Sequence, residues 1–344
     1  MKRNVLITGA NGFIGSHLVS LFTRHGVAVT CFVRRGSDLS DIQGYAVEYK
    51  YGDIGNRASL IEALQGHDFV IHNAGYVKDW GEYQSFYQTN VEGALNVLEA
   101  CVANGIKDVI MTGTNAVYGE EPSFKVKDEA SPYQAHYPYF LDRIFPCCLN
   151  HYRDTKCLAA ERAMDFARRE AINLTVLDPV WVYGENGRHT VFLEYIRSVE
   201  QGVAVAPGSR KNKFHVIYAP DLAEAYYLAF IRRLRGVQHL IIADTDCAGM
   251  DHIFSLFCRY AGVKKPLLLP KWLVYPAGFL MELVYTLLKM KAPPLLTRGR
   301  VNMFYDNIEY ATHKAEEVLG FRARYSLDEG IRNTVKWYRQ AGGL

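Results

Sequence analysis

The apolar run Val5-Leu6-Ile7 meets the turn Thr8-Gly9-Ala10-Asn11-Gly12-Phe13-Ile14-Gly15, and His17-Leu18-Val19-Ser20-Leu21-Phe22 follows with apolar residues at helical spacing. Strand, glycine turn and helix start, in that order, make a place where backbone can approach a pyrophosphate closely. The amides and positive dipole of the helix start would hold its charge. The G-x-x-G-x-x-G spacing of Gly9, Gly12 and Gly15 is one residue longer than the G-x-G-x-x-G fingerprint. Alone it is only a tight turn; after a first strand it reads as a dinucleotide site, with Gly9, Asn11, Gly12, Phe13, Ile14 and Gly15 as its residues.

The next segments repeat the alternation. Val27 to Val33 reads as a strand, a third leads to Tyr51-Gly52-Asp53-Ile54, a helix lies around Ser59 to Leu64, and Phe69-Val70-Ile71 is a fourth strand. Such alternation predicts an α/β fold, a doubly wound parallel Rossmann sheet with ligands at the carboxyl ends of its strands. The 344 residues leave room for a smaller, mostly C-terminal substrate-binding region. The expected division is a dinucleotide-binding domain at 1–178, with 214–245 returning to it, and a substrate-binding region at 179–213 and 246–344.

Bulk properties exclude several classes. Hydrophobic content of 49% and 22% charged residues describe a chain able to build a large core. A net charge of +3 gives no reason to expect nucleic acid as a partner. The seven cysteines show no C-x-x-C and no metal-type clustering, Cys147-Cys148 reads as buried apolar filler, and a reducing, cytoplasmic setting is expected. Met1-Lys2-Arg3-Asn4 runs straight into the first strand and turn, so no signal peptide is expected. One stretch stands apart: residues 272–288, WLVYPAGFLMELVYTLL, carry Glu282 as their only charge, with Lys289 and Lys291 beyond. Seventeen residues containing Pro276 and Gly278 are marginal for crossing a bilayer. They read as a helix packed on the protein or over a substrate pocket, with peripheral membrane contact as the alternative.

The end of the second strand bears on the cofactor. An acidic residue there would bind the adenosine ribose and select NAD, whereas Arg would pair with a 2′-phosphate. Val33 stands at the expected place and Arg34 and Arg35 follow, so NADP(H) is favoured; Asp38 leaves NAD(H) open. Asp53, Ile54, Asn73, Ala74 and Gly75 fall at strand ends on the edge of the glycine turn, where Asp53 could accept from the adenine amino group. Asn90 opens a helix with an apolar stripe at Val91, Leu95 and Leu98. The strand Val109-Ile110-Met111 ends in Thr112-Gly113-Thr114, polar and small where a substrate would meet the cofactor.

Tyr152 and Lys156 lie four apart and share one helix face. An ammonium near a phenol favours the phenolate and moves the tyrosine towards acid/base use near neutral pH. With 23 tyrosines in the chain, order makes the pair specific: glycine turn, strand-end Thr114, then Tyr152 and Lys156.

On these residues the chain resembles the extended short-chain dehydrogenases/reductases over essentially its whole length. Further matches are Asn90-Val-x-Gly93, Val117-Tyr-Gly119, Pro179-x-x-Val182-Tyr-Gly184 and Phe214-His-Val-Ile-Tyr-Ala-Pro-Asp221-Leu-Ala223. Leu296-Thr297, Lys314-Ala315, Leu319-Gly320-Phe321, Ser326-Leu327-x-Glu329-Gly330 and Trp337-Tyr338 are similar to the 3β-hydroxysteroid dehydrogenase-like and dihydroflavonol-reductase-like branch. The resemblance implies that Tyr152 exchanges a proton with the substrate oxygen, Lys156 holds the nicotinamide ribose and tunes Tyr152, and Thr114 hydrogen-bonds the same oxygen. Asn90 would support the active-site helix and a proton relay, and Pro179 and the Val182 backbone would meet the carboxamide. It also implies a small-molecule substrate and a homodimer. Three departures stand out. Asp178 precedes Pro179 where the family usually has Arg, Trp181 stands where many sugar-nucleotide enzymes have Asn, and the segment between Thr114 and Tyr152 is long and aromatic, either a flap near the substrate or a surface loop packed on itself. The expected activity is NADP(H)-dependent interconversion of a carbonyl and a secondary alcohol on a largely apolar, steroid-, lipid- or polyketide-like molecule. A nucleotide-sugar epimerase, dehydratase or reductase is the alternative, and a non-catalytic dinucleotide sensor the third reading.

Overall fold

The computed structural model describes residues 4–119 and 123–344; Met1 to Arg3 and the start of the long aromatic segment lie outside the described residues. Strands β1 (Asn4–Thr8), β2 (Ala28–Val33), β3 (Glu48–Tyr51), β4 (Phe69–His72), β5 (Asp108–Thr112) and β6 (Asn173–Pro179) form one sheet with the strand Val237–Ile242. Its order is Val237–Ile242, β6, β5, β4, β1, β2, β3, and every pairing is parallel.

Two faces need covering, and the alternation along β1 shows how. Val5 and Ile7 point into one apolar cluster with Leu18 and Phe22 of helix α1 (Phe13–Arg24) and with the helix Ala219–Arg232. Leu6 points the other way, towards helices α2 (Arg57–Ala63), α4 (Gly93–Ala103) and α5 (Cys148–Arg169). Burial on both faces is why these strands read as continuous apolar runs.

After β1 the chain winds towards β2 and β3, then returns to lay β4, β5 and β6 on the opposite side. The reversal between β1 and β4 opens a crevice at their carboxyl ends, the usual seat of a ligand in such sheets. Gly9 and Ala74 face each other across it: a Cβ on Gly9 would lie 2.8 Å from the Ala74 backbone, and Gly9 adopts φ +64°. Gly15 is buried beneath the turn, where a Cβ would strike the Gly9 carbonyl oxygen at 2.1 Å.

The sequence placed Asn90 at a helix start. The structure instead puts it inside a π-helical turn, Gln88–Glu92, which joins α3 (Tyr83–Tyr87) to α4. The turn aims Asn90 inward: its Oδ1 accepts from the Tyr76 amide at 2.7 Å, and its Nδ2 donates to Thr155 Oγ1 at 3.2 Å.

The aromatic segment is no flap. None of its described residues 123–147 lines the cleft. Tyr139 and Cys147 are buried with Leu149 and Met303, the Lys127 ammonium donates to the Tyr118 carbonyl at 2.6 Å, and Arg298 donates to the Phe140 and Phe145 carbonyls. It packs against Leu149 and Arg153 of α5 and against Met303 from behind the cavity lining.

Candidate active site

One cavity of roughly 1650 Å³ runs from the glycine turn, along the ends of β1, β2, β4, β5 and β6, to the C-terminal helices. Gly9, Asn11, Gly12, Phe13, Ile14, Arg34, Asp53, Ile54, Asn73, Ala74, Gly75, Thr114, Tyr152, Lys156, Pro179 and Val182 all line it. The sheet topology thus collects onto one surface residues spread over most of the chain.

Three expected site residues stand elsewhere. Arg35 is exposed and its guanidinium lies 5.6 Å from the Tyr51 ring centre, outside the cleft. Arg34, directly after β2, lines the cleft, and Arg35, in the turn that follows, does not. Gly15 lies under the turn and allows its close packing without lining the cavity. Asn90, 3% exposed, does not itself line the cavity; it ties the backbone of the lining residue Tyr76 to Thr155 of α5, the helix that carries Tyr152 and Lys156.

At the glycine turn the residues fit a dinucleotide. Gly12 precedes α1 without a capping side chain, so the first-turn amides are left to the cleft. Thr8 Oγ1 accepts from the Asn73 and Ala74 amides at 3.2 and 3.1 Å, and Asn73 Nδ2 donates to the Gly9 carbonyl at 3.2 Å, locking both walls of the crevice. Arg34 reaches the cleft, whereas the Asp38 carboxylate accepts from the Ser40 amide at 2.9 Å and lies outside the lining. Asp53 spends Oδ1 on the Gly55 amide at 2.7 Å.

At the far end, α5 carries Tyr152 and Lys156 on one face against the loop after β5. The Lys156 ammonium donates to the Thr112 carbonyl at 2.7 Å. Burial pushes it down to about 8, against the opposing pull of the Asp178 carboxylate. The expected lowering of the Tyr152 pKa by Lys156 is not seen, and the pKa lies above its ordinary value. Burial raises the phenol, a hydrogen bond with Thr114 lowers it in part, and the Asp178 charge raises it further. Tyr152 is therefore a protonated donor in this state, hydrogen-bonded to the hydroxyl that the sequence paired with it.

Asp178 explains itself in the fold. Its Oδ1 accepts from the Thr114 amide at 2.8 Å, and its Oδ2 meets His239 and the Tyr118 hydroxyl. Gly113 must lack a Cβ there, since one would sit 1.7 Å from Oδ1. Burial depresses the His239 imidazole, but the Asp178 charge and hydrogen bond outweigh it and the pKa ends above its ordinary value. His239 is 61 residues from Asp178 in the chain, and only the pairing of β6 with Val237–Ile242 joins them.

Arg153 was missed. It lines the cavity, is 3% exposed, and holds its guanidinium 5.8 and 5.9 Å from the Tyr137 and Tyr139 ring centres. Burial pushes it down to about 10. The available signal was a charged residue immediately after Tyr152 followed by Thr155, in a helix whose neighbours Ala159 and Ala160 are apolar.

A family model described as the NAD dependent epimerase/dehydratase family matches residues 5–243. The chain belongs to that family. It is an oxidoreductase of the extended short-chain dehydrogenase/reductase type, dependent on a nicotinamide dinucleotide. It is 26% identical to a 2-alkyl-3-oxoalkanoate reductase of Shewanella oneidensis, over 96% of this chain and 84% of that one. It is 25% identical to an N-acetyl-alpha-D-glucosaminyl-diphospho-ditrans,octacis-undecaprenol 4-epimerase of Escherichia coli O157:H7, over 98% and 96%. A 3beta-hydroxysteroid-dehydrogenase/decarboxylase of Arabidopsis thaliana is 24% identical, over 97% and 79%. Among solved structures, gox2253 superposes with a TM-score of 0.79 at 22% identity, covering both chains entirely. MoeE5 in complex with UDP-glucuronic acid and NAD superposes at 0.75 and 23%, covering 98% of this chain and 99% of that one; at these identities the likeness is one of fold.

Proposed function

We propose that the protein is an NADP(H)-dependent reductase that converts a ketone on a largely apolar molecule to a secondary alcohol. One observation carries this reading: Thr114, Tyr152 and Lys156 meet in a cavity that continues along an apolar wall of Trp181, Val274, Leu295 and Leu296, beside the charged Arg153, Lys291 and Arg300. Trp181, packed 5.3 Å from Phe214, fills a place where a sugar nucleotide would need a polar partner. The reductase and steroid dehydrogenase relatives act, by their names, on molecules of this kind.

In this reading the glycine turn and Arg34 hold the dinucleotide, with Asp53, Ile54, Asn73, Ala74 and Gly75 along its length and Pro179 and Val182 at the nicotinamide. When bound, the nicotinamide supplies the hydride. Tyr152 gives its proton to the carbonyl oxygen as negative charge develops there, and Thr114 donates a hydrogen bond to the same oxygen. The neutral phenol that burial enforces is the form this direction requires. Lys156, anchored on the Thr112 carbonyl, offsets the phenolate left behind. Residues 179–213 and 246–344 serve as the substrate-binding region beside a dinucleotide-binding domain of 1–178 and 214–245, and the assembly is a homodimer.

The test follows NADPH and NADH absorbance in parallel against steroid ketones, 3-oxoacyl compounds, flavonoid-type ketones and nucleotide sugars. Oxidation of NADPH by an apolar ketone is expected, and Tyr152→Phe should lower kcat by about 10²- to 10⁴-fold while NADPH still binds. A nucleotide sugar altered on chromatography with no net change in NADPH would replace this reading with the epimerase one. Dinucleotide binding with no turnover of any compound would favour a sensor.

A further inference from the structure

The helix Lys271–Leu287 is built inside out. Its inward face is Val274, Gly278 and Glu282, at i, i+4 and i+8, and this face carries the helix's one acidic group. Glu282 is 1% exposed and is bound by the buried Arg298 at 2.9 Å through both carboxylate oxygens. Its exposed residues are Trp272, Leu273, Pro276, Ala277, Leu280, Val284, Thr286 and Leu287, one hydroxyl among apolar side chains and none charged. Trp272 is 75% and Leu287 71% exposed. An amphipathic helix on a protein in water has the opposite arrangement.

The apolar surface extends beyond the helix. Phe279 packs edge-on against Phe140 and Phe145 of the neighbouring segment, which exposes Phe140, Leu141 and Ile144, the last at 83%. Leu288 and Leu295 continue it on the other side. A contiguous patch of this kind marks a surface that something covers.

We infer that this face seats the protein on a bilayer surface bearing anionic headgroups, and that the apolar substrate enters from it. Charge decides the occupant. Within 140–145 and 271–297 both acidic side chains, Asp142 and Glu282, are buried and bound inward, whereas the exposed Arg143, Lys289 and Lys291 are cationic. A second copy set face to face would bring these like charges together, while an anionic leaflet attracts them. The helix lies in the surface and does not cross it: 17 residues span roughly 25 Å, short of the about 30 Å hydrocarbon core. No described helix is long and apolar enough to cross. The cavity reaches the same face. Val274, on the inner side of the helix, lines it, as do Lys291, Pro293 and Leu295 in the chain that follows. The entry route rests on the proposed function; the binding surface does not.

The experiment is co-sedimentation of the full chain with vesicles of phosphatidylcholine alone and with about one-third phosphatidylglycerol, at low and high salt, without substrate. Binding to the anionic vesicles is expected, at least tenfold above the neutral ones and weakened by salt. Leu280→Glu with Leu287→Glu should lower it at least tenfold with an unchanged melting temperature, since both side chains are already in solvent, and Lys289→Glu should lower it several-fold. No binding to anionic vesicles, or binding that the double variant leaves intact, overturns the proposal. So does a vesicle-free dimer, seen by sedimentation velocity, that the double variant splits, because the face would then belong to a second copy. No outcome reads turnover, so an enzyme that reduces apolar ketones yet ignores vesicles loses only this inference.

Discussion

Lys156 is held at a cost. Burial lowers its pKa from 10.5 to about 8, so between these values the unfolded chain binds more protons than the folded one, and stability there rises with pH. Below about pH 8 the whole cost is present; above about 10.5 it is gone. Lys156→Met keeps the length and removes the charge. It is therefore expected to melt higher than the parent at pH 7, with an advantage that shrinks from pH 8 upward, while turnover is lost. Differential scanning calorimetry across pH checks this, and a lower melting temperature at pH 7 would mean that the bond to the Thr112 carbonyl outweighs burial. The parent's kcat/KM should fall as pH rises through about 8, where the free enzyme loses the ammonium. The same scale shows what single residues disclose. That Tyr152, Lys156 and Thr114 come together was legible from residue type and order. Asp178 was visible only as an oddity, since its partner His239 is brought by strand pairing and nothing local announces it. Adjacency to Arg34 did not show that Arg35 stands outside the cleft, because it says nothing of which way a side chain points.

Among the elements, the glycine turn, the strands and α5 were legible because each is set by local periodicity and backbone sterics. The π-helical turn at Asn90 was not, because an extra residue in a helix leaves no mark on composition, only a shift in which face points inward. The aromatic segment was half legible: its own rings do pack, Tyr137 to Tyr139 at 4.7 Å, but its attachment to α5 through Asn150, Arg153 and one histidine was not. His136 Nδ1 meets Asp154 of α5 and Nε2 meets Asp142 of the segment, both at 2.8 Å. Burial pulls its pKa down, but the hydrogen bonds and charges of Asp154 and Asp142 win and the pKa ends raised. A neutral imidazole has one N–H, so losing the proton breaks one of the two contacts. With the folded value above the unfolded one, this tie is fully present below about pH 6.5 and is lost as pH rises through the raised value. Limited proteolysis between residues 123 and 147 should accelerate across that rise in the parent but not in His136→Asn. Equal cleavage rates of the parent from pH 6 to pH 9 would show that the segment is held without this proton.

For the molecule as a whole, the sheet was legible from the alternation of strands and helices, whereas the arrangement of the last hundred residues was not. The reason is Arg298. A single wholly buried guanidinium binds Glu282, from 16 residues upstream, and the carbonyls of Phe140 and Phe145, more than 150 residues away. It gathers the outer helix, the aromatic segment and its own helix Arg298–Met303 around one charge, and no sequence pattern predicts a junction of that reach. Removing one partner leaves the other charge buried and uncompensated, which costs about 3–5 kcal/mol. Glu282→Met and Arg298→Met should therefore each lose about that much in urea unfolding at pH 7. The double variant should lose far less than the two together, because no lone charge remains. It should still fall short of the parent, since the Phe140 and Phe145 carbonyls lose their donors, at about 1–3 kcal/mol for each left buried. Additive losses would mean that Glu282 and Arg298 act separately, and that the outer helix is held by its apolar contacts alone.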